Sequence, residues 1–339
     1  MRIAVIGGGI VGLTTSLKLR EELRNSNITI FADSFDDTTS HVAAGLFRIG
    51  NSFSGPTEEL TSLLSMISIF RKWVKDAYEY YDDIRKSSEA GIAGVAEISG
   101  YYFAKSDPRL AENRWFPSLV PVYRKVQKAE LDLVGNEWNH GTYFTTLLTD
   151  PTLFLPWGRS KLQENDVKLL RKRINSFAEI ASDFDVIMNC SGLGARYLCN
   201  DRRLVPIRGV IAKVKAPWIK TAFFGESDTY IIPGFNGTCT LGGVRTFESD
   251  KLNICPYEAT ALRERCNGLV PSLAKAKTIK HLAGLRPHRE TVRVEPEIIG
   301  KTRVIHNYGH GAYGVCTAPG TASYAVQLVK DVHRSTSQL

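Results

Sequence analysis

A chain of 339 residues, 43% hydrophobic and 23% charged, has the make-up of a globular protein of about two domains. No stretch approaches the roughly 20 continuous apolar residues that span a bilayer, so a membrane protein is excluded at this stage. The net charge of +8 raises nucleic acid as a partner, but the basic residues are dispersed and no nucleic-acid module accompanies them, so they read as a solvated surface that draws in anionic ligands.

The first dozen residues, MRIAVIGGGIVG, have the outline of a secretory leader, but four glycines break the apolar run and no small-residue cleavage site follows. They read instead as a buried strand, Ile3–Ile6, closing on Gly7-Gly8-Gly9. A helix is expected over Ile10–Leu23 with Leu13, Leu17 and Leu23 on its apolar side, then a strand over Ile28–Ala32 ending at Asp33. Asp36–Ser40 is a polar loop, and Val42-Ala43-Ala44-Gly45 is small enough to lie against a ligand. Pro56–Arg85 reads as an amphipathic helix through Leu60, Leu63, Leu64, Ile67, Phe70, Trp73, Val74 and Ala77. Strands are expected at Ala96–Phe103 and Val120–Val126, and a helix at Leu153–Asn165. The run from Asp185 to Gly192 is a second buried strand. Strand-like runs follow at Gly209–Lys215, Thr229–Ile232 and Thr238–Gly242, then a helix at Glu258–Leu269. Arg303–Asn307 is a strand, and Gly320–His333 a last helix preceded by Ala318-Pro319.

The six cysteines have no C-x-x-C pair and read as free thiols. His306 and His310 are separated by Asn307-Tyr308-Gly309, a strand end and turn rather than a helix face, so no metal site is expected. The fold class is α/β: a Rossmann-type domain with a parallel sheet plus an inserted α+β domain with a mixed sheet. The parallel strands fall in three separated pieces, giving a cofactor domain of 1–50, 144–200 and 280–334, a substrate domain of 51–143 and 201–279, and a tail of 335–339.

Gly7-x-Gly9-x-x-Gly12 matches the dinucleotide fingerprint. Gly7 permits the turn, Gly9 lets backbone approach a pyrophosphate and Gly12 lets the helix pack on the strand. The helix N-terminus offers unpaired N–H groups to phosphate. Asp33 lies 21 residues past Gly12, where a ribose-binding acid is expected. That acid disfavours NADP and leaves NAD and FAD open.

With these residues in hand, the chain resembles the D-amino acid oxidase and D-aspartate oxidase family of FAD enzymes. The likeness is carried along nearly the whole chain by IGGGIVGL, Thr39-Ser40-His41-Val42-Ala43-Ala44-Gly45, Asn189-Cys-Ser-Gly-Leu-Gly194, Pro206-Ile-Arg-Gly209, Ala216-Pro-Trp218, Tyr230-Ile-Ile-Pro-Gly234, Gly284-Leu-Arg-Pro287 and Asn307-Tyr-Gly-His-Gly311. It implies non-covalent FAD, with the α-hydrogen of a D-amino acid passing as hydride to the flavin, oxygen reoxidising it to peroxide, and the imino acid hydrolysing in water. The flavin carries the hard chemistry, so the protein need supply only orientation and electrostatics. By resemblance the FAD contacts are Gly7, Gly9, Ile10, Val11, Gly12, Asp33, Ser34, Thr39, Ser40, Ala44, Gly45, Leu46, Ser191, Gly192, Gly309, Gly311, Ala312 and Val315. Arg286 matches the arginine that clamps the substrate α-carboxylate, Tyr230 the tyrosine that bonds the same group, and Ala312 is placed beside substrate and flavin.

Arg245 stands where acidic-substrate members carry an arginine and mammalian-type neutral-substrate members are apolar, so a D-aspartate or D-glutamate side chain is expected to pair with it. Departures occur in the lid. Phe223–Thr229 lacks both the second tyrosine of neutral-substrate members and the arginine of mammalian-type D-aspartate oxidases. Gly50-Asn51-Ser52 replaces a His- or Pro-containing stretch, and Ala318-Pro319 stands in the region of a histidine–tryptophan pair. The rival readings are an oxidase of neutral or basic D-amino acids and, from another class, a non-catalytic dinucleotide-binding protein. Substrate and oxygen are the expected partners, and the sequence leaves the oligomeric state open. Ser337-Gln338-Leu339 is one residue from the peroxisomal Ser-Lys-Leu, so an import receptor and a peroxisomal location are expected, with cytoplasm as the alternative.

Overall fold

The computed structural model describes residues 1–50, 63–135, 137–247 and 249–337. Strand β1 (Arg2–Ile6) leaves Ile3, Ala4 and Val5 with no solvent exposure, the fate of an apolar run covered on both faces. The chain turns at Gly7–Gly9 into helix α1 (Ile10–Glu22) and returns along β2 (Asn27–Ala32). Helix α2 is described over Leu63–Lys86, so the start expected from Pro56 lies outside the described residues. Strands β3 (Val95–Ala104), β4 (Val122–Lys125) and β5 (His140–Thr149) follow. Helix α3 (Pro151–Glu164) is capped by the Asp150 carboxylate, which accepts from the Thr152 N–H at 2.9 Å. Next come β6 (Lys168–Arg171), β7 (Val186–Asn189), β8 (Val205–Lys215), β9 (Ala222–Phe224), β10 (Tyr230–Pro233), β11 (Thr238–Gly242) and β12 (Thr246–Phe247). Helix α4 (Pro256–Leu269), the long strand β13 (Lys277–Ile299), β14 (Thr302–His310) and helix α5 (Gly314–Ser337) complete the fold.

The strands form one mixed sheet in the order β4-β5-β3-β9-β10-β11-β8-β13-β14-β7-β1-β2-β6, with β12 beside β8. Its β14-β7-β1-β2-β6 end is wholly parallel, as expected of a dinucleotide-binding sheet. The other end is mainly antiparallel. β13 joins the two. Its first half pairs with β8, from Lys277 opposite Lys215 to His288 opposite Val205. After an irregularity between His288 and Arg293, its second half pairs with β14. The strand runs through residue 280, where the sequence suggests a boundary.

Leu13 and Leu19 of α1 are buried, and the half-buried Leu17 and Leu23 pack against the same core. Helix α1 packs against both α3 and α5, so it buries much of its circumference, Thr14, Thr15 and Ser16 included. The Thr14 and Ser16 hydroxyls donate to the carbonyls of Ile10 and Gly12 at 2.8 Å, which removes the cost of burying them.

The last helix begins at Gly314 and contains Pro319, instead of following it. A proline inside a helix cannot donate to the carbonyl four residues back, here Val315. The buried Tyr81 hydroxyl of α2 donates to that carbonyl at 2.7 Å. The orphaned acceptor is thereby satisfied, and the helix passes through the proline.

Candidate active site

One cavity of about 610 Å³ lies where the C-terminal ends of β1 and β2 meet the first turns of α1 and α5. Helix N-termini carry unpaired N–H groups and partial positive charge, so two long helices aim favourable fields at an anionic ligand. Gly7 has a φ of +128°, and a Cβ there would lie 2.2 Å from the Cys190 carbonyl oxygen. A Cβ on Gly12 would lie 2.0 Å from the Gly7 carbonyl oxygen. The approach of the turn to the end of β7 therefore requires glycine at position 7, and that of α1 to the turn requires it at position 12. Gly12 packs behind the cavity against the Gly7 carbonyl and is not among the residues that line it. The other expected cofactor residues (Gly7, Gly9, Ile10, Val11, Asp33, Ser34, Thr39, Ser40, Ala44, Gly45, Leu46, Ser191, Gly192, Gly309, Gly311, Ala312 and Val315) all line the cavity.

Asp33 follows β2, with its carboxylate 3.6 Å from the Arg173 guanidinium. Thr39–Val42 forms a one-turn helix where the sequence suggests only a loop up to Ser40. The Ser40 hydroxyl accepts from the Ile10 N–H at 3.0 Å, and the Thr39 hydroxyl donates to the Leu285 carbonyl at 2.9 Å. The cradle therefore combines backbone that a side chain would block, two helix N-termini and an acid at the end of the second strand. These features fit the pyrophosphate and ribose of a dinucleotide.

Tyr230, Arg245 and Arg286 line the same cavity. Arg286 sits on β13 two residues beyond the pair of Gly284 with Gly209 of β8. Its guanidinium lies over Gly209, where a Cβ would come within 2.2 Å of Nη1. Tyr230 is opposite Gly242 of β11, and a Cβ on that glycine would fall 1.9 Å from the tyrosine Cζ. Glycines on neighbouring strands thus make room for the two side chains. Arg286 makes one long hydrogen bond, to the Val244 carbonyl at 3.5 Å, and has no acidic partner among the described residues. Burial raises the Tyr230 phenol above its ordinary range, against a lowering by Arg286. It remains a neutral O–H donor at physiological pH. The Arg286 guanidinium and the Tyr230 hydroxyl thus both offer hydrogen-bond donors at the cavity wall.

Arg245 is differently placed. It is 45% exposed and donates to Asp228 at 3.1 Å, so its charge is already partly compensated. Arg48, absent from the sequence reading, also lines the cavity. Its guanidinium carbon lies 4.6 Å from the centre of the Tyr102 ring and 5.1 Å from that of Phe224. The signal for it was a lone cation three residues after the Gly45 turn, in an otherwise apolar run.

Residues 2–328 match the FAD dependent oxidoreductase family that includes D-amino acid oxidase. The chain belongs to that family. It is an FAD-dependent oxidoreductase, and the glycine cradle and helix N-termini are consistent with that cofactor. This family member is 34% identical to D-aspartate oxidase of Homo sapiens, over 97% of this chain and 95% of that one. It is 30% identical to D-aspartate oxidase 1 of Caenorhabditis elegans, over 99% and 98%. It is also 30% identical to D-amino acid oxidase of Dugesia ryukyuensis, over 98% of both. Among solved structures, glycine oxidase from Geobacillus kaustophilus superposes with a TM-score of 0.79 at 19% identity, over 97% of this chain and 95% of that one. That likeness establishes the shared fold.

Proposed function

We propose that this flavoenzyme oxidatively deaminates acidic D-amino acids, D-aspartate and D-glutamate, to the 2-oxo acid, ammonia and hydrogen peroxide. The observation that carries the reading is the cationic surplus beside Tyr230. Arg48, Arg245 and Arg286 line that part of the cavity together with one carboxylate, Asp228. A site so charged favours a ligand with two carboxylates over one with a single carboxylate.

FAD, when bound, supplies the two-electron acceptor for the substrate's α-hydrogen. Arg286 offers two parallel N–H donors to the α-carboxylate, and Tyr230 a third donor. Fixing that group at several points sets the direction in which the Cα–H bond projects, which is how positioning lowers the barrier. The backbone N–H groups at the start of α5, by Gly311 and Ala312, present positive potential to charge that develops in the cavity. The ion pair of Arg245 with Asp228 favours a second reading, an oxidase of neutral D-amino acids, because an internally satisfied arginine exerts less pull on a substrate carboxylate.

Anaerobic addition of D-aspartate to the yellow protein should bleach the flavin band faster than D-alanine at equal concentration. Faster bleaching by D-alanine selects the neutral reading. A flavin that no D-amino acid bleaches selects a binding protein. Peroxide release suits the peroxisomal location suggested by Ser337-Gln338-Leu339, of which Gln338 and Leu339 lie outside the described residues. That location is part of the proposal.

A further inference from the structure

We infer that Arg48 is a specificity-determining residue that receives the side-chain carboxylate of the acidic substrate. The inference rests on the acidic reading above and deepens it. Arg48 follows Phe47, whose N–H donates to the Leu147 carbonyl at 2.8 Å and whose carbonyl accepts from the Thr146 hydroxyl at 2.8 Å. The backbone at Arg48 is therefore tied to the edge of β5.

Its side chain is held by aromatic faces. The Tyr102 and Phe224 rings are stacked 5.7 Å apart, and Phe224 in turn lies 6.0 Å from the Tyr230 ring. Arg48 thus belongs to the same aromatic wall as the tyrosine of the proposed carboxylate-binding pair. Cation–π contact restrains a guanidinium without consuming its N–H donors. Among the described residues the Arg48 guanidinium makes no hydrogen bond and no ion pair (its backbone carbonyl accepts from the Cys316 thiol), whereas Arg245 donates to Asp228. A half-buried, uncommitted guanidinium is costly until an anion reaches it. The second carboxylate of D-aspartate or D-glutamate is that anion, and Arg245 acts as a more exposed auxiliary.

The test uses the holoenzyme and two pairs of near-isosteric ligands that differ in one charge: D-aspartate against D-asparagine as substrates, and succinate against butyrate as dead-end ligands followed by the perturbed flavin spectrum. Arg48→Gln should lower the D-aspartate to D-asparagine ratio of kcat/KM by about 30-fold, the loss for truncating one partner of a buried charge pair. The Kd for succinate should rise by a similar factor, with that for butyrate lagging well behind. Arg48→Lys should recover part of both losses. Arg48→Met serves if the glutamine variant fails to fold. A ratio unchanged in the neutral variants overturns the assignment while the acidic reading stands. A wild-type enzyme that does not prefer D-aspartate to D-asparagine overturns both.

Discussion

At the scale of single residues, the proposed carboxylate-binding pair, Arg286 and Tyr230, owes its geometry to absent side chains. Arg286 needs the space over Gly209, and Tyr230 the space over Gly242. Arg286→Gln should lower kcat/KM by about 100-fold or more, through loss of a charged fork. Tyr230→Phe should lower it by about 10-fold or more, the worth of one hydrogen bond to a charged group. Steady-state kinetics with D-aspartate checks both, and equal losses would show that the two donors do not divide the work as proposed. Both residues were legible in the sequence because each sits in a compact motif. Arg48 was not. Its aromatic partners come from β3 and β9, and only the folded sheet brings them to it. The Arg245–Asp228 pair follows from the antiparallel pairing of β10 with β11, which brings the two ends of residues 228–245 together; the strand-like runs were legible, their pairing was not read.

At the scale of elements, proline explains most differences between expectation and structure. Pro319 suggested a helix start but lies within α5, because Tyr81 of α2 supplies the donor that the proline lacks. Tyr81→Phe leaves the ring and removes that donor, so the buried Val315 carbonyl loses its partner. The expected cost is about 1–3 kcal/mol, read from urea unfolding of the FAD-saturated protein. A change below about 0.5 kcal/mol would mean that the helix satisfies this carbonyl in another way. β13 went unseen because Pro287 and Pro296 interrupt a strongly charged sequence, and proline normally demotes a strand. Here the strand is set by neighbours on both sides. The opening unit was legible because its signals are local: an apolar run, three glycines at fixed spacing and an acid at the end of the next strand.

At the scale of the whole molecule, buried histidines link stability to pH. His310 is 2% exposed, and burial pushes its imidazole down to about 3. His306, fully buried, is also pushed down, first by burial and then by Arg293, against the raising effect of Glu297. Both stay neutral in the native state, while the unfolded chain takes up protons below about pH 6.5. Their contribution to stability is therefore complete above about pH 6.5 and is lost progressively as the pH falls towards the native value. Unfolding free energy with saturating FAD should drop by about 1.6 kcal/mol from His310 alone between about pH 6.5 and pH 5. His310→Asn should flatten that slope, and an undiminished slope would assign the loss to other groups.

The pairing of the two chain ends also bears on how the protein emerges from the ribosome. β1 needs β7 as a neighbour, α1 packs against α5, and the Asn307 amide donates to the Thr15 hydroxyl at 3.2 Å. The glycine cradle is thus made well before the segments that complete it. At translation rates of about 5–20 residues per second, it waits roughly 15–60 s for its final walls. During that interval an apolar strand lacks its partners and the cofactor has only part of its site. Nascent chains stalled before α5 should bind chaperone rather than FAD, and flavin capture should follow the synthesis of α5.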